Sequence, residues 1–191
     1  IIGYPRYNDL KDRKEIFNNL KNEFNLKDKK KIIFWTPTHI HYKNETEKNF
    51  LPWIDKISEL NSEYNIIIRP HPKILKLNKT IKDSLTKKGF LVDDKVDRKI
   101  GNLFKVSDLI LCDYGDTIFS AIYLEKPLVL LNMDSKSDFI KDLNINLSLD
   151  LQLRNYIVNY DVSVDIEEFK KEIFKLLNNK NNNKILDLKK K

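Results

Sequence analysis

The chain carries a single cysteine, Cys112, in 191 residues. One thiol excludes an internal disulfide and fits a reducing compartment. No stretch approaches the about 18 consecutive apolar residues that a membrane-spanning helix requires. The N-terminus lacks the basic-then-apolar pattern of a secretory signal. Internal repeats are absent, and no linker divides the chain. There is no initiator methionine either: the sequence opens Ile1-Ile2-Gly3, so it is expected to be cut from a longer protein.

Hydrophobic residues make up 41% of the chain and aromatics 10%, a globular rather than a disordered composition. The length suffices for one well-buried domain. Residues 1–191 therefore read as a single domain, with 1–10 as an extended lead-in and 180–191 as a frayed, Asn- and Lys-rich tail. The net charge is +7 with a pI near 9.2. Such an excess is either lysine spread over solvated faces or an attraction toward anionic substrates or an anionic membrane surface. Nucleic acid is not an expected partner, because no basic stripe is interleaved with aromatics. The expected location is the cytoplasm, with the inner face of the cell membrane as a peripheral contact.

The richest segment runs from Ser107 to Asn132. An apolar run, Leu109 to Cys112, ends in Asp113-Tyr114-Gly115-Asp116-Thr117; a helix-like stretch follows to Lys126-Pro127, then a second apolar run, Leu128 to Leu131. Strand, tight turn, helix and strand in that order form a βαβ unit. Its turn lies where a strand's carboxyl end meets a helix N-terminus, a place suited to phosphate.

Further apolar runs, Lys31 to Trp35, Asn65 to Ile68 and Phe90 to Asp93, alternate with helical patterns at Asp12–Phe24, Phe50–Tyr64, Leu77–Lys88, Lys99–Val106 and Asp165–Asn178. Pro52 is placed in the first turn of its helix, and Gly89 at a helix C-terminus. Shorter helices are expected at 138–143 and 149–155. The runs are continuous, as in parallel strands covered on both faces. The fold class is α/β: a doubly wound, mostly parallel sheet of about five strands.

Three polar clusters follow buried strands: Thr36-Pro37-Thr38-His39, Arg69-Pro70-His71-Pro72 and Asp113 to Thr117. In an open parallel sheet they converge on one edge, where ligands bind. Arg69 offers a fork for phosphate oxygens, or an ion pair with Asp113 or Asp93. His71, in an extended exit between two prolines, can donate to a phosphate, transfer a proton, or cap the backbone. Thr36, Thr38 and Thr117 supply hydroxyls, and Gly115 permits close approach to the backbone. Asp113 is either a site residue or a brace of its own turn. His39 and His41 read as inert loop residues. No metal site is read from the sequence, and no cofactor is implied.

Taken in order, Gly3-Tyr4-Pro5-Arg6, Thr36-Pro37-Thr38, Arg69-Pro70-His71-Pro72, Ser107 to Tyr114 and Glu125 to Val129 resemble the CDP-glycerol glycerophosphotransferases, the teichoic-acid polymerase-like enzymes of GT-B fold. The resemblance covers about residues 1 to 132. It implies a Rossmann-like, donor-nucleotide half of a GT-B enzyme, beginning at Gly3–Arg6, with an N-terminal acceptor half elsewhere that carries a basic histidine. It further implies that Arg69 and His71 form the donor-phosphate motif, with His71 required for activity, and that Asp113 to Thr117, including Asp116, hold the donor diphosphate. The partners so implied are a CDP-linked donor and a polymer or lipid-linked acceptor. Two departures bear on the donor: Gly115-Asp116 stands where the family has two serines, and Ser120 where it tends to be acidic. The donor is then CDP-glycerol, CDP-ribitol, another CDP-linked alditol, or a nucleotide sugar. The rival readings are a nucleotide-sugar glycosyltransferase of capsule assembly and a non-catalytic nucleotide-binding or interaction module.

Overall fold

The computed structural model describes residues 7, 10–38, 45–133 and 148–178, and of residues 45–49 the backbone alone. The expectations for residues 1–6, His39, His41, the helix at 138–143 and the tail at 180–191 lie outside the described residues. The strands are β1 (Ile32–Thr36), β2 (Asn65–Ile68), β3 (Leu91–Val92), β4 (Leu109–Cys112), β5 (Leu128–Leu131) and β6 (Asn159–Tyr160). They form one parallel sheet in the order β3-β2-β1-β4-β5-β6. The helices are α1 (Arg13–Phe24), α2 (Glu45–Ser58), α3 (Pro72–Leu77), α4 (Ile81–Lys87), α5 (Ile100–Val106), α6 (Thr117–Tyr123), α7 (Leu149–Leu153) and α8 (Ile166–Asn178).

Side chains alternate across the sheet, and both faces are covered. Ile33, Trp35, Ile66, Ile68, Leu109, Leu111, Val129 and Leu131 pack on one side, with α2, α4 and α8. Ile32, Phe34, Ile67, Ile110, Cys112, Leu128 and Leu130 pack on the other, with α1, α5 and α6. This two-sided burial makes the strand sequences unbroken apolar runs. Each fully buried large side chain contributes about 1.5–3 kcal/mol. Trp35 meets Phe50 and Phe90 at ring distances of 5.2 and 5.7 Å, and Phe34 meets Phe104 edge-on at 5.2 Å.

The structure differs from the sequence reading in four places. The sheet has a sixth described strand, β6, paired with β5 through Leu130–Asn159 and Leu131–Tyr160. α2 begins at Glu45, which puts Pro52 inside it rather than in its first turn. Pro52 removes one backbone bond, a cost of about 3 kcal/mol, which the burial of Phe50, Trp53, Ile54 and Ile57 on the same helix offsets. The helix expected at Leu77–Lys88 begins only at Ile81, and Leu77 is instead the last residue of the separate helix α3. Asn78 Oδ1 accepts from the Thr80 N–H at 3.2 Å and its hydroxyl at 2.9 Å, so the side chain competes with the helical ladder and restarts it. Finally, the extended exit after β2 is short, because Pro72 is the first residue of α3 and His71 its N-cap. Gly89, at φ +88°, does terminate α4.

Two features outside the cavity lining carry testable energetics. A Cβ on Gly101 would lie 2.8 Å from Tyr7 Cδ1 and from Leu10 Cδ2, so Tyr7 and Leu10 rest directly on α5 at this glycine. Gly101→Ala should destabilise the chain by about 1–3 kcal/mol, read as a lower denaturant midpoint. Lys126 donates to the carbonyls of Lys105 and Ser107, each at 2.8 Å. Burial, seconded by nearby Arg13, pushes its ammonium down from 10.5 to about 8. The unfolded chain then holds this proton more tightly than the folded one between those values, so the lysine's contribution to stability rises with pH across that window. Relative to Lys126→Met, the parent chain should gain stability between pH 7.5 and about 9.5. Parallel pH profiles of the two midpoints would contradict this.

Candidate functional site

Strand order reverses between β1 and β4, since β1 continues to β2 on one side and the chain crosses to β4 on the other. Carboxyl ends of strands splay apart at such a point, which opens a crevice. Here the crevice is a cavity of about 300 Å³. Thr36, Pro37 and Thr38 line it after β1, Arg69 to Pro72 after β2, and Tyr114 to Thr117 after β4, with Ile100 completing the wall. The three strand-end clusters thus meet in one place. Asp113 alone among the expected site residues is not part of this wall.

Arg69 is held on three sides. Its Nη1 donates to Asp93 Oδ2 at 2.9 Å and to the Arg98 carbonyl at 3.0 Å, and its Nη2 to the Lys95 carbonyl at 3.1 Å. Asp93 is fully buried, and its second oxygen accepts from Arg98 Nε at 2.8 Å. Glu23 pairs in turn with Arg98 and Lys95. One carboxylate between two guanidiniums satisfies a buried charge and fixes the plane of Arg69 at the cavity wall.

His71 is exposed, and its Nδ1 accepts the Lys73 N–H at 3.2 Å as the cap of α3. With Nδ1 accepting in the cap, Nε2 is the ring nitrogen left to donate.

Asp113 braces the floor. Both carboxylate oxygens lie 3.0 Å from the Thr38 N–H, and Oδ1 accepts from the Tyr114 N–H at 2.8 Å. Burial pushes this carboxyl up from its ordinary value, against the hydrogen bonds from Thr38 and Tyr114. The Thr38 hydroxyl donates to the Tyr114 carbonyl at 2.7 Å. Gly115 stands at φ +87°, a conformation costly for residues with a Cβ, and open space faces its Cα. Asp116 is exposed, and Thr117 Oγ1 is buried without a hydrogen-bond partner of good geometry. Burial and the Asp113 charge push the Cys112 thiol upward, so it behaves as a small apolar side chain. Among the described residues, no group of three or more His, Cys, Asp or Glu could hold a metal.

Two further residues shape this turn. Asp150 Oδ2 accepts the Gly115 N–H at 3.0 Å. Arg154 lies over the Tyr114 ring, 3.8 Å from its centroid, and donates to the Asp113 carbonyl and to Asn132 Oδ1. Neither is visible from sequence as part of the site, since both stand more than 30 residues beyond the turn.

Comparison with known proteins matches residues 1–142 to the family model of CDP-Glycerol:Poly(glycerophosphate) glycerophosphotransferase. A teichoic acid glycerol-phosphate primase of Bacillus spizizenii is 28% identical over 138 residues, which is 71% of this chain and 34% of the relative. A teichoic acid poly(glycerol phosphate) polymerase of Staphylococcus epidermidis is 26% identical over 134 residues, 66% of this chain and 18% of the relative. The chain therefore spans about a third or less of these relatives. Among solved structures, a variant of the wall teichoic acid polymerase TagF soaked with CDPG superposes on 96% of this chain and 43% of its own, with TM-score 0.65 and 21% identity. The ADP-heptose LPS heptosyltransferase II of E. coli covers 88% of this chain and 53% of its own, with TM-score 0.56 and 14% identity. These structures share the α/β fold of GT-B transferases. With the family model spanning most of its length, the chain belongs to the CDP-glycerol:poly(glycerophosphate) glycerophosphotransferase family.

Proposed function

We propose that this chain is the donor-binding unit of a glycerophosphotransferase that takes a CDP-linked alditol, CDP-glycerol or a close relative, and serves transfer of the alditol phosphate to a teichoic-acid-like polymer. The observation that carries this reading is the convergence of Thr36–Thr38, Arg69–Pro72 and Tyr114–Thr117 on one cavity at the sheet's switch point. Family membership supplies the reaction class. In such a transfer an acceptor hydroxyl attacks the phosphorus that bears the alditol, the pyrophosphate P–O bond breaks, and CMP leaves. Negative charge builds on the departing phosphate, and fixed donors beside it lower the barrier. Arg69, immobilised by Asp93, and His71, donating from Nε2, are the side chains proposed for that task. Acceptor binding and the base are proposed to reside in parts of such enzymes that this chain does not match, which is consistent with its coverage of 34% of the primase.

Calorimetric titration with CDP, CMP, UDP and CDP-glycerol tests the donor assignment. The chain should bind the cytidine diphosphates at micromolar to millimolar affinity, more tightly than CMP. Preference for UDP would turn the reading toward a nucleotide sugar, and a folded chain that binds none of the four at millimolar concentration would end it.

His71→Asn separates the two roles of this side chain. Asparagine caps a helix as well as any residue, so stability should stay within about 1 kcal/mol of the parent. The donor at Nε2 is lost, so CDP-glycerol affinity should fall about tenfold, the value of one hydrogen bond to a charged group. Unchanged affinity would leave His71 as a cap only.

A further inference from the structure

The peptide between Tyr114 and Gly115 is held at both ends. Its carbonyl accepts the Thr38 hydroxyl at 2.7 Å, and its N–H donates to Asp150 Oδ2 at 3.0 Å. Gly115 forms part of the cavity wall, and its positive φ sets the direction of this N–H. A backbone N–H on such a turn is the group a phosphate oxygen would use. In this structure a carboxylate of the chain itself has it.

We propose that Asp150 is an internal competitor of the donor's diphosphate, occupying the Gly115 N–H until a phosphate oxygen displaces it. The inference rests on the donor-binding reading above. A carboxylate oxygen and a phosphate oxygen are both anionic acceptors, and one N–H serves only one of them at good geometry. Charge reinforces the competition. Asp113, Asp116 and Asp150 surround the turn, and Arg154 is the cation stacked against it. A diphosphate arriving while Asp150 is in place meets like charge; once Asp150 withdraws, it meets the freed N–H and a less negative surface. Withdrawal need involve only the Asp150 side chain, while Leu153 of the same helix stays packed against the core. α7, which carries Asp150, is five residues long and contains no fully buried residue. Residues 148–178 also lie beyond the segment the family model matches, so this competitor is outside the part of the chain that defines the family.

The test is calorimetry of the 191-residue chain and its Asp150→Asn and Asp150→Ala variants with CDP, inorganic pyrophosphate and cytidine, with circular dichroism and thermal midpoints recorded on each preparation. Both variants should bind CDP and pyrophosphate more tightly than the parent, Asp150→Ala by about tenfold, as expected for one hydrogen bond to a charged group. Cytidine, which lacks a phosphate, should bind all three alike. Asp150→Asn keeps the parent's shape and an acceptor for the Gly115 N–H but removes the charge, so it reads the charge part of the competition should Asp150→Ala not fold. A parent that binds CDP together with folded variants that bind it equally or more weakly would overturn the proposal and make Asp150 a brace of the turn, while leaving the donor-binding reading intact. Failure of parent and variants alike to bind CDP or pyrophosphate would remove both.

Discussion

Strand β1 is bonded along both edges, to β2 through Ile32–Asn65 to Trp35–Ile68 and to β4 through Ile33–Leu109 to Thr36–Cys112. The rest of the architecture depends on this double parallel pairing. All five β1 residues are buried, so the strand cannot slip by one residue without driving Phe34 and Trp35 into the wrong layers. The same pairing makes the chain leave β1 toward β2 and return on its other edge as β4. The crevice is a consequence of that reversal. Asp113 ties the exits of β1 and β4 together through the Thr38 N–H, so the floor of the cavity and the register of the sheet are fixed by one set of bonds.

Much of this was legible in the sequence because parallel strands buried on both faces leave an unmistakable trace. Ile32–Trp35, Asn65–Ile68, Leu109–Cys112 and Leu128–Leu131 are unbroken apolar runs bounded by polar turns. β6 left a weaker one. It is two half-buried residues at the sheet edge, although Tyr156 to Tyr160 has the aromatic and β-branched character of a strand. The break at Asn78 lay below the reach of periodicity, since a side-chain bond two residues long decides it.

The site was legible as a place and not as a set of bonds. That polar residues after β1, β2 and β4 should meet follows from topology alone. Which atoms remain for a ligand depends on partners far away in sequence. Asp93 stands 24 residues from Arg69, and Asp150 stands 35 from Gly115. A sequence offers Arg69, Thr38 and Gly115 as three donors; the fold commits Thr38's hydroxyl to the Tyr114 carbonyl and Gly115's N–H to Asp150, and turns part of Arg69 toward Asp93.

These commitments divide the cavity electrostatically. On the β2 side, Arg69, Arg98 and Lys95 face Asp93 and Glu23, three cations against two carboxylates. On the β4 side, the carboxylates of Asp116, in the wall, and Asp150, bonded to Gly115, outnumber Arg154. The chain's formal excess of +7 therefore says nothing about this wall, which is locally acidic. An anion entering between the two is drawn to the β2 exit and held off from the β4 exit, at distances where partial burial leaves the field poorly screened. Placement of a diphosphate in such a cavity is set less by total charge than by which carboxylate is free to move. Asp93 is fully buried between two guanidiniums and is not. Asp113 is tied to two backbone N–H groups on the cavity floor. Asp150, on a short helix with no fully buried residue, is the one whose departure costs the fold least.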